Sequence, residues 1–237
     1  MRSMPIVLIP GLNCTARIFA HQIPELWRFG PVTIANHMQG DSIAAIASNI
    51  LDAAPPRFAL VGFSLGGYLA FEIMRQAANR VEKLAILDSS ARPETPEQAK
   101  RRLERIAMAR SGRYRDHLDE HYPMIVHPSR RGEAGLRLIY YAMGDEYGSD
   151  AFVRHSTAII KRADSREDLA SIGCPTLVLV GDSDELTPPD AAQEMAATIP
   201  GARLVVVPEC GHMSPIEKPD DVNQALADWM GRAPIRH

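Results

Sequence analysis

The stretch from Phe58 to Met74, FALVGFSLGGYLAFEIM, constrains the fold more tightly than any other part of the chain. Phe58 to Val61 is a short apolar run of strand type closed by Gly62, and from Leu65 onward Leu69, Ile73 and Met74 share one helical stripe. A strand that turns into a helix over so few residues holds its central residue in a strained conformation. Side chains two positions to either side would collide there, and glycine, with no Cβ, removes the collision. The tip residue is Ser64, flanked by Gly62 and Gly66, with Gly67 beyond. Its hydroxyl is expected to point away from the sheet, and the backbone N–H of Leu65, at the helix start, to face the space beside it. This is the G-x-S-x-G nucleophile-elbow pattern in the strand–turn–helix setting it requires. Over these residues alone, a tight turn with an incidental serine reads the same, and the rest of the chain has to decide.

Around this stretch, strand and helix alternate. Pro5 to Ile9 reads as a buried parallel strand ended by Pro10-Gly11, followed by a loop through Leu12 and a helix near Ala20 to Leu26. Val32 to Ala35 is a second strand. Asp41-Ser42 caps a helix whose Ile43, Ile46, Ala47, Ile50 and Leu51 recur at helical spacing, and Pro55-Pro56 stops it. After the elbow comes a strand at Lys83 to Leu87, ending in Asp88. The alternation predicts a mostly parallel sheet of about six strands with helices on both faces, an α/β fold. It then lapses. From about Ala91 to Ala170 the helical segments Pro96–Arg110, Tyr114–Val126, Arg130–Met143 and Ala151–Arg162 follow one another with no strand between them. Strands resume at Pro175 to Val180 and Arg203 to Val207, with helices at Pro189 to Ile199 and Pro219 to Met230. The expected division is a core in two parts, 1–88 and 172–237, with 89–171 inserted as a helical cap.

Composition narrows the function class. The chain has 237 residues, 46% hydrophobic and 23% charged, with a formal charge of −3, so electrostatics favour neither nucleic acid nor anionic membranes. No run approaches the roughly 18 apolar residues of a membrane span. The N-terminal apolar run is too short for a signal peptide. Three cysteines, Cys14, Cys174 and Cys210, are an odd number without paired spacing, which fits a reducing cytoplasm.

A serine hydroxyl is a poor nucleophile unless an adjacent base takes its proton; histidine is the usual base, and it needs a carboxylate to fix its tautomer. In an open α/β sheet such groups emerge at the carboxyl ends of strands. Ser64, Asp184 and His212 each follow an expected strand end, with Asp182 and Asp88 as competing acids. His117-Leu118-Asp119-Glu120-His121 also fits the H-x-x-E-H zinc pattern, but the stretch is charged on nearly all sides and reads as a solvated helix face. The arginines of 89–171, interspersed with Glu and Asp, read as exposed charge.

With Gly11, Gly62-Phe63-Ser64-Leu65-Gly66-Gly67, Gly181-x-x-Asp184-x-x-x-Pro188 and Gly211-His212 followed by Glu217-x-Pro219, the chain resembles the α/β-hydrolases over nearly its whole length outside the insertion. It departs from them in having Pro10 where many relatives have histidine, and in lacking the usual first hairpin. The resemblance implies Ser64 as nucleophile, Asp184 as acid, His212 as base, and the Leu65 and Leu12 amides as oxyanion donors. It is nearest the small-cap branch of carboxylesterases, enol-lactonases and carbon–carbon bond hydrolases. The implied activity is cleavage of a small ester, lactone or thioester, with no cofactor and no metal, by a monomer or homodimer. A carbon–carbon hydrolase acting on a vinylogous diketone, or a ligand-binding receptor on the same scaffold, are the alternatives. Met108, Tyr122, Met124, Tyr140, Met143 and Phe152 are the expected roof of the substrate pocket.

Overall fold

The computed structural model describes residues 3–231. The strands, β1 (Ile6–Ile9), β2 (Val32–Ile34), β3 (Phe58–Phe63), β4 (Val81–Leu87), β5 (Thr176–Gly181) and β6 (Arg203–Val207), form one sheet in the order β2-β1-β3-β4-β5-β6. Every neighbouring pair is parallel, so all the carboxyl ends lie along one edge. The expected strands are all present.

Alternation along each strand sorts its side chains into two cores. Ile6, Leu8, Val61, Ala85 and Leu177 share one buried cluster with Leu26 of α1 (Gln22–Leu26) and Val222, Leu226 and Trp229 of α10 (Pro219–Gly231). Val7, Ile9, Leu60, Ile86 and Val178 face the other way, against Ile46 and Ile50 of α2 (Ile43–Ala53), Leu69 and Ile73 of α3 (Leu65–Ala77) and Met195 of α8 (Pro189–Thr198). Helices therefore cover both faces, as the strand–helix alternation requires. Lys83 is buried in β4, and its Nζ donates to the Trp229 and Met230 carbonyls at 3.0 and 2.9 Å, satisfying acceptors at the α10 C-terminus. Among the described residues, no helix is long and apolar enough to cross a membrane.

Between β4 and β5 come α4 (Pro96–Arg110), α5 (Tyr114–Ile125), α6 (Ala134–Tyr147) and α7 (Ser149–Ile160). Thr95 and Gln98 close a reciprocal capping box on α4, with Pro96 in its first turn. Leu118, Tyr122 and Ile125 of α5 and Tyr140 and Met143 of α6 pack into the α10-side core, while Ile159 of α7 joins the opposite one. The segment thus shares its apolar contacts with the sheet. A short helix, α9 (Ser214–Glu217), precedes α10; with barely one turn it shows no period in the sequence.

At the end of β3 the chain leaves no room for side chains. A Cβ at Gly62 would stand 2.3 Å from the Gly66 carbonyl oxygen, and one at Gly66 would stand 2.1 Å from that of Ile9. Both obstacles are backbone and cannot swing away. Gly66→Ala should therefore lower unfolding stability by about 1–3 kcal/mol or more, read from the urea midpoint. Gly135→Ala in α6, where nothing lies within 4 Å of the added carbon, should be neutral or stabilising by up to about 1 kcal/mol. Equal midpoints for Gly66→Ala and the wild type would mean that β1 and α3 are not in this close contact.

Candidate active site

Ser64 sits at φ 52°, ψ −114°, a left-handed conformation that costs a non-glycine residue about 1–3 kcal/mol. Hydrogen bonds hold it there. Its N–H donates to the Leu87 carbonyl at 3.0 Å, and its own carbonyl accepts from Gly67 N at 2.8 Å and Ser89 Oγ at 2.9 Å. The conformation lifts Oγ out of the strand line toward the loop after β6, where His212 Nε2 meets it at 2.9 Å. On the other side of the ring, His212 Nδ1 lies 2.8 Å from Asp184 Oδ2.

Asp184 lies in the loop after β5, buried and fully bonded. Its Oδ1 accepts from the Leu186 and Thr187 amides at 2.9 and 3.0 Å, and Oδ2 accepts from Thr187 Oγ1 at 2.6 Å. Burial by itself would raise its pKa, but the adjacent imidazole and these donors outweigh that and hold it below the usual carboxylate value. Burial likewise opposes the His212 cation. The charge and hydrogen bond of Asp184 override it, and the imidazole pKa stands above 6.5. An ionised acceptor at Nδ1 keeps the ring proton there, which leaves Nε2 free to accept from the serine hydroxyl.

The competing acids are turned elsewhere. Asp182 accepts from the Glu209 and Cys210 amides at 2.9 and 3.2 Å and from Ser183 Oγ at 3.0 Å. Asp88, fully buried, accepts from Gly181 N at 3.0 Å and is hydrogen-bonded to Ser214 Oγ. Burial first, and then the charge of Asp184, push its pKa well above the usual carboxylate value.

Glu217, quoted in the sequence only as part of a pattern, braces the His212 loop. Its Oε1 accepts from the Gly211 and Met213 amides, both at 3.1 Å, and its Oε2 from His127 N at 2.8 Å. The His212 amide itself donates to the Ile125 carbonyl at 2.9 Å. The end of α5 and the loop carrying the imidazole are therefore joined on both sides of the ring.

Ser64 and His212 open into a cavity of about 320 Å³ that Leu12 and Leu65 also line. The first loop runs close against the serine, since a Cβ on Gly11 would come within 3.1 Å of Ser64 Cβ. Leu65 is the first residue of α3, where backbone N–H groups have no partner within the helix. Of the six expected roof residues, Tyr140 and Met124 line the cavity. The other four do not. Tyr122 and Met143 are buried in the core, Phe152 stacks on His117 with ring centres 4.4 Å apart, and Met108 is half-buried on α4 away from the cavity. Which face of an inserted helix meets the sheet is decided by its neighbours, and methionine content does not encode it.

Two further expectations need correction. The His117–His121 stretch is not a solvated face. His117 is buried, with a pKa lowered to about 4 by burial and by Arg105 and Arg102, and His121 lines the cavity with Nδ1 3.0 Å from the Tyr140 hydroxyl. Helical spacing held the signal, since His117, Leu118, His121, Tyr122 and Ile125 fall on one stripe and leave Asp119 and Glu120 outside. Nor are the arginines of the insertion simply exposed charge, because Arg101, Arg102, Arg105 and Arg162 all line the cavity. Among the described residues, no group of three or more His, Cys, Asp or Glu side chains is placed to share a metal ion.

Comparison with known proteins agrees with the fold. Residues 6–225 match the alpha/beta hydrolase family. A pimeloyl-[acyl-carrier protein] methyl ester esterase of Nitrosomonas europaea is 29% identical over 180 residues, covering 73% of this chain and 71% of that protein. A thermophilic esterase from Thermogutta terrifontis superposes with a TM-score of 0.87 at 26% identity, covering 96% of this chain and 89% of the other. The enol-lactonase from Burkholderia xenovorans LB400 shares the fold, with a TM-score of 0.88 at 22% identity over 98% of this chain and 93% of its own. With nearly all of its described length matched, and its sheet and strand-end loops arranged as above, the chain belongs to the alpha/beta hydrolase family and is a hydrolytic enzyme.

Proposed function

We propose that the protein is a serine hydrolase that cleaves a small carboxylic ester, lactone or thioester through an acyl-enzyme on Ser64. The observation that carries this reading is the unbroken hydrogen-bond chain from Ser64 Oγ through His212 to Asp184. Ser64 attacks the substrate carbonyl as its proton passes to His212 Nε2. Asp184 stabilises the imidazolium across Nδ1. Negative charge on the former carbonyl oxygen is met by the Leu65 and Leu12 amides, both on the cavity wall. His212 returns the proton to the leaving alcohol or thiol, then takes one from the water that attacks the acyl-enzyme. Residues 89–171 act as the cap over this cavity, with Tyr140, His121 and Met124 above the serine. The esterase names of two relatives point to the same class of bond.

Ser64→Ala should lose at least about 10⁴-fold in ester hydrolysis and all labelling by a small organophosphonate. Equal labelling of wild type and variant would place the nucleophile elsewhere.

The pH profile carries a sign. Catalysis needs the neutral imidazole, and the Asp184 carboxylate raises the His212 pKa. As pH rises, kcat/KM should therefore climb through one ionisation displaced above about 6.5, and should fall away on the acid side. A profile flat down to about pH 4.5 would assign the base to a carboxylate.

The acids separate by charge. Asp184→Asn removes an ionised partner and should cost about 10⁴-fold. Asp88 is bonded to Gly181 N and Ser214 Oγ and not to the imidazole, and burial disfavours its charge, so Asp88→Asn should stay within about tenfold. A crippled Asp88→Asn beside an active Asp184→Asn would reverse the assignment.

A further inference from the structure

The cavity roof carries more positive charge than its own acids neutralise. Arg101, Arg102 and Arg105 lie along one side of α4 and all reach the cavity. Glu94 is the buried acid among them, and it is already shared: Arg102 binds it at 2.9 and 3.1 Å and Arg162 at 2.7 Å. Arg92 is engaged by Asp190 and Glu194 at 2.7 and 2.6 Å. Arg105 has no such partner. Among the described residues it forms no ion pair, and its one polar side-chain contact is a weak one, Nη2 to Met124 Sδ at 3.6 Å. Glu120 attracts it without reaching it. A half-buried guanidinium beside two like charges is costly unless something anionic arrives to meet it. Burial and the neighbouring Arg102 and Arg101 already pull its pKa below the ordinary arginine value.

Its position relative to the reacting groups follows from the cavity lining. Arg105, Arg101, His121, Tyr140, His212 and Ser64 all line the one cavity, and His121 Nδ1 lies 3.0 Å from the Tyr140 hydroxyl. A substrate filling that cavity meets both Ser64 and Arg105.

We infer that the preferred substrate of this hydrolase carries an anionic oxygen group, a carboxylate or a phosphate, at the end away from the scissile carbonyl, and that Arg105, flanked by Arg101, is its counter-ion. The inference rests on the hydrolase reading for its chemistry and on the roof charges for its specificity. A planar guanidinium offers two parallel donors to such a group. An uncharged ester of the same shape leaves the half-buried Arg105 unpaired, which is how a polar site rejects the wrong ligand.

The test compares monomethyl with dimethyl adipate, and the methyl ester of phosphonoacetate with its fully esterified form, on wild type, Arg105→Gln, Arg105→Lys and Arg101→Gln. Wild type should prefer the charged ester by about ten- to hundredfold in kcat/KM, the scale of a hydrogen bond to a charged group. Arg105→Gln should erase most of that ratio through KM, Arg105→Lys should keep part of it, and Arg101→Gln should weaken it. The larger of the carboxylate and phosphonate ratios identifies the group preferred. A purely structural arginine would lower charged and neutral substrates alike and leave the ratio unchanged, which overturns the inference, as does a wild-type ratio near one. Calorimetry with free adipate and phosphonoacetate separates the two readings. Binding to wild type that Arg105→Gln loses, with no turnover of any ester, keeps the anion subsite and sinks the hydrolase; ester turnover with no anion binding and no charged preference does the reverse.

Discussion

The floor of the cavity depends on backbone meeting backbone where α3 leaves β3. Gly62, Gly66 and the end of β1 approach so closely that no Cβ fits between them, and this contact lets the chain reverse from strand to helix with Ser64 at the tip. Because the sheet is parallel throughout, the same edge also receives the ends of β1, β4, β5 and β6. Leu12, Asp88, Asp184 and His212 follow those ends, so residues far apart in sequence arrive at one place without any long reach. The strain at Ser64 is balanced by three hydrogen bonds to its own peptide groups, two of them from or to the neighbouring β4 segment.

Around one imidazole the fold gathers three buried acids, and their pKa values are pushed in different directions. Asp184 has three donors and the His212 ring, so its charged form is favoured. Asp88 and Glu217 are pushed upward by burial, Asp88 also by the charge already on Asp184. Burial acts on all three, and the imidazole contact, which Asp184 alone makes, turns its pKa the other way. The other two serve as hydrogen-bonding braces, Asp88 for the β5 end and Ser214, Glu217 for both amides flanking His212.

Much of this was legible in the residues. Short Ile, Val and Leu runs such as IVLI and TLVLVG are apolar on both sides because both faces of the sheet are covered, and a run of that kind marks its strand without any partner. The elbow glycines announce a steric fact about the backbone, and sequence carries such facts directly. The α4 boundaries are legible for the same reason, since Thr95, Pro96 and Gln98 are local devices. What was not legible depends on long-range contact. Tyr122 and Met143 turn into the core and His121 into the cavity because of how α5 and α6 pair with each other and with the sheet, and no composition rule encodes that pairing. The arginines misled for a related reason. Glu94 answers Arg102 and Arg162 together, so counting acids against bases along the chain missed the cation left over.

Floor and roof are not independent of one another. Glu217 accepts from His127 just past α5 while holding the amides on both sides of His212, and the His212 amide reaches the Ile125 carbonyl. Moving the end of α5 would therefore strip partners from buried groups at the imidazole loop, where each lost hydrogen bond costs about 1–3 kcal/mol. Among the described residues no hydrogen bond joins α4 to that loop: its cavity-facing arginines meet acids of the roof, or none. The physical consequence is a division within the roof. On the proposed mechanism proton transfer leans on the α5 end, whereas the α4 arginines make no hydrogen bond to Ser64, His212 or Asp184. If Ser64 and His212 react and Arg105 selects as proposed, reactivity leans on α5 and selectivity on α4, two helices of one insertion.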